Sequence, residues 1–332
     1  MKQKTTIAIN GFGRIGRNLF RLLLHHPTLE VIAINDIADT QTMAHLLKYD
    51  SIHGVLPQTV SYNENALIVD GKAFAYSRKK HITDINWQGV DFVVESTGKY
   101  KTYEQAYLHI QAGAQKVILS APPEDDQIKT IVLGVNESIL DGSELIVSNA
   151  SCTTNNAAPM IKIIDDLCGI KQAYITTVHS YTTDQSLHDQ PHKDLRRARG
   201  ASQSIVPTTT GAAKALTKIF PKLEGKLGGS GIRVPVPDGS LTDITCYVGR
   251  EVTIEAINQA FQKAAQQELK GILDFTKDPI VSVDIIGNKH SCLFDAQLTS
   301  VIDKMVKVVG WYDNEIGYSS RIIDLIGYIS NK

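Results

Sequence analysis

Residues 5–36 read TTIAINGFGRIGRNLFRLLLHHPTLEVIAIND. Thr5 to Asn10 is apolar and β-branched, the pattern of a strand buried on both faces of a parallel sheet. It runs into Gly11-Phe12-Gly13-Arg14-Ile15-Gly16, after which Ile15, Leu19, Leu22 and Leu23 recur at helical spacing over 15–25. Leu29 to Asn35 is apolar again, so the stretch spells strand, helix, strand. In that context GxGxxG predicts a phosphate cradle. Gly11 permits the tight turn, Gly13 lets a pyrophosphate approach the backbone, and Gly16 lets helix and strand pack closely. The amides of Arg14 and Ile15 are expected to face the phosphates at the helix N-terminus. The second strand leads into Asp36, 20 residues after Gly16. A carboxylate there accepts hydrogen bonds from ribose hydroxyls and repels a 2′-phosphate, so NAD is expected rather than NADP.

Working outward, apolar runs at 90–96 (VDFVVES), 116–120 (KVILS), 130–135 (TIVLGV) and 144–148 (ELIVS) predict further strands, with a helix at 102–112. Short apolar strands alternating with helices predict an open, mostly parallel sheet. The pattern changes after 152. A helix is expected at 152–167, then strands of mixed polarity at 172–180, 229–236, 241–249, 281–287, 291–298 and 304–312, with one helix at 253–268 among them. Such neighbours predict an antiparallel sheet. Ile322, Ile323, Leu325, Ile326 and Ile329 mark a last helix within 314–330 that is expected to return to the first domain. The fold class is therefore α/β: a Rossmann-type dinucleotide-binding domain, 1–151 plus 315–332, and an α+β catalytic domain, 152–314, on a mostly antiparallel sheet. The polar stretch 182–204 predicts a long functional loop.

Bulk composition narrows the partners. The chain has 332 residues, 42% hydrophobic and 21% charged, with a formal net charge of -1. No basic block favours nucleic acid, and no apolar run of ~18 residues favours a membrane. The N-terminus lacks the features of a signal peptide, so a cytoplasmic protein is expected. Four cysteines, 152, 168, 246 and 292, form no CxxC pair and no zinc-finger spacing, and no metal is expected.

Cys168, Cys246 and Cys292 lie in apolar contexts that suit core filling. Cys152 lies in SNASCTTNN (148–156), where it follows an apolar run and opens a helix. Metal ligand, core residue and nucleophile all compete there. A reactive thiol needs a helix N-terminus or a cation, partial exposure and a base. His179, at the end of the strand-like run 173–178, is the candidate base.

Six motifs together resemble the phosphorylating glyceraldehyde-3-phosphate dehydrogenases along essentially the whole chain. They are INGFGRIGR (9–17), SNASCTTN (148–155), TTVHSYT (176–182), TTTGAAKA (208–215), RVPVP (233–237) and WYDNEIGYS (311–319). The resemblance implies a glycolytic enzyme that oxidises glyceraldehyde 3-phosphate with NAD and inorganic phosphate. Cys152 would form a hemithioacetal and then a thioester, with His179 holding the thiolate as an ion pair and acting as base. It further implies Thr182 and Arg233 for the substrate's phosphate. Ser151, Thr153, Thr210 and Gly211, with Arg197, would take inorganic phosphate. Asn314 would hold the nicotinamide carboxamide with Tyr318 nearby, and Arg78, Thr97 and Ser120 would contact adenine and ribose. Pro191 matches the NAD-using members, and 182–204 resembles the loop that reaches a neighbouring subunit in a homotetramer. Asn156 stands where many members have a second Cys, and 185–191 departs from the familiar pattern. Alternatives are erythrose-4-phosphate dehydrogenase, disfavoured by the intact TTTGAAKA segment, and an NADP-preferring anabolic paralogue, disfavoured by Asp36 and Pro191.

Overall fold

The computed structural model describes residues 4–332. The chain divides into two compact units. One holds residues up to Ile131 with Ser138–Ala150 and Ser319–Lys332; the other holds Val132–Glu137 and Ser151–Tyr318. Residues 132–137, 151 and 315–318 thus group with the second unit, where 1–151 plus 315–332 against 152–314 is expected from the sequence.

In the first unit the strands Lys129–Thr130, Ile146–Ser148, Lys116–Leu119, Phe92–Glu95, Thr5–Asn10, Leu29–Asn35 and Lys72–Ser77 lie side by side, all parallel. Ala66–Val69 and Val60–Asn63 continue the sheet antiparallel at one edge. The chain leaves Thr5–Asn10 toward Leu29–Asn35 on one side and returns to Phe92–Glu95 on the other. The crevice at the C-terminal ends of these strands is therefore a topological switch point, where open α/β sheets bind ligands. Ile7, Ala8, Ile9, Val93, Val94 and Val117 are fully buried, as strands covered on both faces require. Thr102 starts the helix Tyr103–Gln111 with a capping box to Gln105, one residue from the expected start.

In the second unit the sheet order is Val206–Thr208, Leu227–Val234, Ile170–Ser180, Ser240–Val248, Met305–Tyr312, Cys292–Asp295 and Leu273–Thr276, with Ser300–Ile302 pairing Met305–Tyr312. Pairing is antiparallel except Ile170–Ser180 with Leu227–Val234 and Leu273–Thr276 with Cys292–Asp295. The helix Cys152–Cys168 lies on this sheet and against the helix Ile254–Gln266. Ala157, Ala158, Met160, Ile161 and Ile164 are buried along it. Along Ile170–Ser180, Ala173, Ile175, Thr177 and His179 alternate inward while Tyr174 is exposed. The period of two thus carries His179 to the covered face.

Two expected strands are corrected. At 281–287 the chain forms a 3₁₀ turn, Ser282–Ile285, because Asp284 Oδ2 accepts from Val281 N–H at 2.9 Å and curls the segment. At 130–135 pairing stops at Thr130. Asn136 Oδ1 takes the Val132 N–H at 2.7 Å, and Gly134 has φ +80°. Among the described residues no helix is long and apolar enough to cross a membrane.

Candidate active site

The glycine turn of the first unit is shaped by what a side chain would strike. Gly11 has φ +94°, and a Cβ there would lie 2.7 Å from the Thr97 nitrogen. A Cβ on Gly16 would lie 2.2 Å from the Gly11 carbonyl oxygen. Over Gly13 nothing lies within 4 Å of the Cβ position. Gly11 and Gly16 are therefore packing requirements, while Gly13 leaves the backbone open to an incoming group. Arg17 Nη1 donates to Phe12 O at 2.9 Å and steadies the turn. Arg14, the first residue of the helix Arg14–Leu23, is followed by Ile15, and its guanidinium meets Asp50 at 2.5 Å. Burial raises the Asp50 carboxyl, but Arg14 and the N–H groups of His53 and Ile52 more than offset this and hold it below the carboxylate range.

Asp36 accepts from Phe12 N–H at 2.6 Å through Oδ2 and from Ala38 N–H at 3.0 Å through Oδ1. A carboxylate offers about four acceptor positions, so it keeps capacity for ribose hydroxyls. Thr97 and Ser120 follow the next two strands and are partly exposed, and Arg78 is exposed just beyond Lys72–Ser77. An open glycine face, helix amides and a carboxylate at one end of the sheet fit a dinucleotide. A buried hydrogen-bonded chain behind them was not legible from the residue pattern. Trp87 Nε1 donates to His109 Nδ1 (2.9 Å), whose Nε2 faces Glu95 Oε2 (3.0 Å). Glu95 also accepts from Asn10 Nδ2 (2.6 Å) and from Thr97 N–H (2.8 Å). Trp is only a donor, so His109 carries its proton on Nε2 and donates to Glu95.

In the second unit Ser151 caps the helix Cys152–Cys168, its Oγ accepting from Thr154 N–H at 3.1 Å. Cys152 is thus the first helical residue, at the positive end of the helix dipole. Its Sγ lies 3.5 Å from His179 Nε2. The parallel register places Arg233 opposite His179, with Nη1 2.7 Å from Nδ1 and 2.9 Å from Ser180 O. Asn314 Oδ1 accepts from Ser180 Oγ at 2.9 Å and Ser240 Oγ at 2.7 Å, which fixes the amide and leaves Nδ2 as its donor face. Tyr318 is buried.

The other expected anion ligands are variously committed. The Thr153 hydroxyl bonds Tyr312 Oη at 2.9 Å, and the Ser151 hydroxyl lies 2.8 Å from Thr154 Oγ1. Thr210 Oγ1 accepts from Ala212 N–H at 3.2 Å, and Gly211 caps the helix Ala212–Ile219. Arg197 pairs with Asp184 and donates to Thr208 Oγ1 at 2.9 Å, while Thr182 is partly exposed.

Tyr312 escaped the sequence reading. Its hydroxyl also meets Thr177 Oγ1 at 3.0 Å, and its ring meets the His179 ring edge-on at 5.9 Å. An aromatic among hydroxyls on the inward face of a strand is the signal that points to it.

Burial acts against both charges of the Cys152–His179 pair. It pushes the thiol up, opposed by the Arg233 guanidinium and the Thr153 N–H. It pushes the imidazole down to about 3, aided by Arg233 and opposed by the Ser180 carbonyl. Burial thus works against both charges of the expected thiolate–imidazolium pair, while Arg233 and the helix N-terminus favour the thiolate.

Comparison with known proteins gives the family. Residues 5–103 match the family model for the glyceraldehyde 3-phosphate dehydrogenase NAD binding domain, and residues 151–314 match its C-terminal domain. The chain is 52% identical over 330 residues to glyceraldehyde-3-phosphate dehydrogenase of Geobacillus stearothermophilus, covering 98% of each chain. It is 51% identical over 330 residues, again 98% of each, to glyceraldehyde-3-phosphate dehydrogenase 1 of Bacillus subtilis. With the Mycobacterium avium glyceraldehyde-3-phosphate dehydrogenase it shares 52% over 332 residues, 97% of this chain and 98% of that one. With a dinucleotide-type glycine turn in one unit and a helix-capped cysteine facing a histidine in the other, this chain belongs to the glyceraldehyde-3-phosphate dehydrogenase family.

Proposed function

We propose that this chain oxidises the aldehyde of glyceraldehyde 3-phosphate with NAD and inorganic phosphate, by way of a thioester on Cys152. The observation that carries this is the approach of Cys152 Sγ to His179 Nε2 at 3.5 Å, at a helix N-terminus and beside Arg233. The sulfur adds to the carbonyl carbon as its proton passes to Nε2, and the return of that proton to oxygen gives the hemithioacetal. Nε2 then takes the hydroxyl proton as the carbon loses hydride. NAD, when bound, supplies the acceptor for that hydride. The thioester keeps the oxidation energy until phosphate adds to its carbonyl carbon and sulfur leaves as thiolate. The Cys152 N–H and His179 meet the oxyanion.

In this reading Thr182 and Arg233 hold the substrate's phosphate. Ser151, Thr153, Thr210 and Gly211, with Arg197, hold inorganic phosphate. Hydroxyls, helix-end amides and guanidinium forks are suited to both tasks. Gly11, Gly13, Arg14, Ile15 and Gly16 cradle the pyrophosphate, Asp36 takes the ribose, and Arg78, Thr97 and Ser120 line the adenosine. Asn314 offers Nδ2 to the carboxamide, with Tyr318 nearby. The domains are read as 1–151 plus 315–332 and 152–314. The chain works in the cytoplasm as a homotetramer, with the loop 182–204 in the interface. Leu187, Leu195 and Ile205, in and beside that loop, are 65%, 82% and 70% exposed, which supports an interface there.

A steady-state assay tests the proposal, with glyceraldehyde 3-phosphate against erythrose 4-phosphate, NAD against NADP, and phosphate present or absent. Turnover is expected to need phosphate and to favour the three-carbon aldehyde and NAD. Equal turnover without phosphate, or preference for the four-carbon sugar or for NADP, would overturn it.

A further inference from the structure

A hydroxyl carries one hydrogen, and that decides whether Thr153 can serve the phosphate assigned to it. Thr153 Oγ1 is already bonded to Tyr312 Oη at 2.9 Å. Tyr312 Oη is in turn bonded to Thr177 Oγ1 at 3.0 Å, and Thr177 Oγ1 reaches Leu241 O at 3.4 Å. Three buried hydroxyls of the second unit thus form one chain, and each link takes one hydrogen. The hydrogens can all run one way or all the other. In the first sense Thr153 donates to Tyr312, Tyr312 to Thr177, and Thr177 to Leu241 O. Thr153 then offers only lone pairs to an anion. In the second sense Thr177 donates to Tyr312 and Tyr312 to Thr153, and the Thr153 hydrogen is free for the active site. A chain that reverses midway leaves opposed lone pairs at one link or strands the phenol hydrogen, and both are costly where burial excludes water. The two ends are unequal. The bond to Leu241 O is long. At the other end Thr153 follows Cys152 in the first turn of the helix, where its side chain and its N–H both favour the thiolate. Burial, with the charge of Cys152, pushes the Tyr312 phenol up, so Tyr312 keeps its hydrogen.

We propose that Tyr312 is a positioning residue for the phosphate step: its hydroxyl, by donating to Thr153 Oγ1, turns the Thr153 hydrogen toward the inorganic phosphate that attacks the thioester. Tyr312 acts on phosphate through Thr153, so this rests on the phosphate role given above to Thr153. Threonine populates two χ1 wells in a helix, and the bond to Tyr312 holds the one that keeps Oγ1 in the chain. Phosphate is a stronger acceptor than a carbonyl at 3.4 Å, so its arrival draws all three hydrogens toward the active site. Bonds aligned in one sense strengthen one another. Each hydrogen stays on its own oxygen, and only the direction of donation changes.

Tyr312→Phe keeps the ring that meets His179 edge-on at 5.9 Å and removes only the hydroxyl. In steady-state assays with glyceraldehyde 3-phosphate and NAD, its KM for inorganic phosphate is expected to rise roughly 2–10-fold, the worth of one hydrogen bond. The first-turnover burst of reduced nicotinamide in phosphate-free buffer is expected to match wild type, because the Cys152 sulfur keeps His179 Nε2 at 3.5 Å and the Thr153 N–H. A double-mutant cycle ties the effect to Thr153. In the Thr153→Ser background, which keeps a hydroxyl, Tyr312→Phe is expected to raise the KM for phosphate as it does in wild type. In the Thr153→Val background it is expected to add nothing, and Thr153→Val alone is expected to raise that KM at least as much as Tyr312→Phe. An unchanged KM for phosphate in Tyr312→Phe would overturn the hydroxyl chain, as would a rise of the same size in the Thr153→Val background. Equal losses in the burst and in phosphate use would also overturn it, by placing Tyr312 behind His179. An unchanged KM for phosphate in Thr153→Val would instead sink the reading of Thr153 as a phosphate ligand.

Discussion

Cys152 and His179 meet because two local rules converge on one sheet face. Ser151 starts the helix so that Cys152 is its first residue, and the strand alternation turns Thr177 and His179 toward that helix. Both residues were legible in the sequence as a polar-wrapped cysteine and a histidine ending a strand. The burial and the Arg233 contact that bear on their charges were not, because they depend on positions 27 and 54 residues away from His179. Cys152→Ser is expected to cut turnover roughly 10⁴-fold or more while NAD still binds, measured by initial rates and fluorescence titration. Retained activity would point to another nucleophile. His179→Asn is expected to slow the acylation burst by roughly 10²–10⁴. Tyr312 was invisible at this scale, since its partners Thr153 and Thr177 are 159 and 135 residues distant. Asn156 donates to Trp311 O at 3.2 Å and sits fully buried.

At the scale of elements, the βαβ unit at the start of the chain was read almost to the residue, because periodicity and glycine chemistry agreed over 5–36. The glycines now divide by cause. Gly16→Ala is expected to cost about 1–3 kcal/mol, since its Cβ would press on the Gly11 carbonyl. Gly13→Ala has open space and is expected to stay within about 1 kcal/mol of wild type, yet to raise the KM for NAD. Thermal melts and steady-state kinetics check both, and a Gly16→Ala protein as stable as wild type would contradict the packing argument. Where elements were misread, polar side chains had captured backbone amides. Asp284 curled 281–287 and Asn136 ended the strand after Thr130. The helix Thr40–Lys48 and the antiparallel edge strands within 60–77 were not anticipated. The helix is short, and edge strands half-covered by neighbours show weak alternation.

At the scale of the molecule, one buried acid contributes to stability through its protonation. Burial, with the carboxylates of Asp313 and Glu315, pushes Asp238 up to about 8, against an ordinary value of 3.8. Between those values the folded chain holds a proton on Asp238 that the unfolded chain has lost, so this group's contribution to stability falls as pH rises from about 4 to about 8 and then levels. Asp238→Asn is expected to flatten that slope and to raise Tm above pH 7, as followed by melts from pH 5 to about 8.5. A variant that keeps the wild-type slope would contradict this. The two-domain plan and the family were legible because six motifs, spread from residue 9 to residue 319, each carry separate chemistry. On the proposed route substrate carbon is held covalently on Cys152 until phosphate removes it. The measurement that tests it most directly is the mass of the enzyme quenched after mixing with glyceraldehyde 3-phosphate and NAD, with and without phosphate. One phosphoglyceroyl adduct per chain is expected, on the peptide containing Cys152, that persists without phosphate and disappears when phosphate is added. No adduct, an adduct on another residue, or one lost equally fast without phosphate would contradict it.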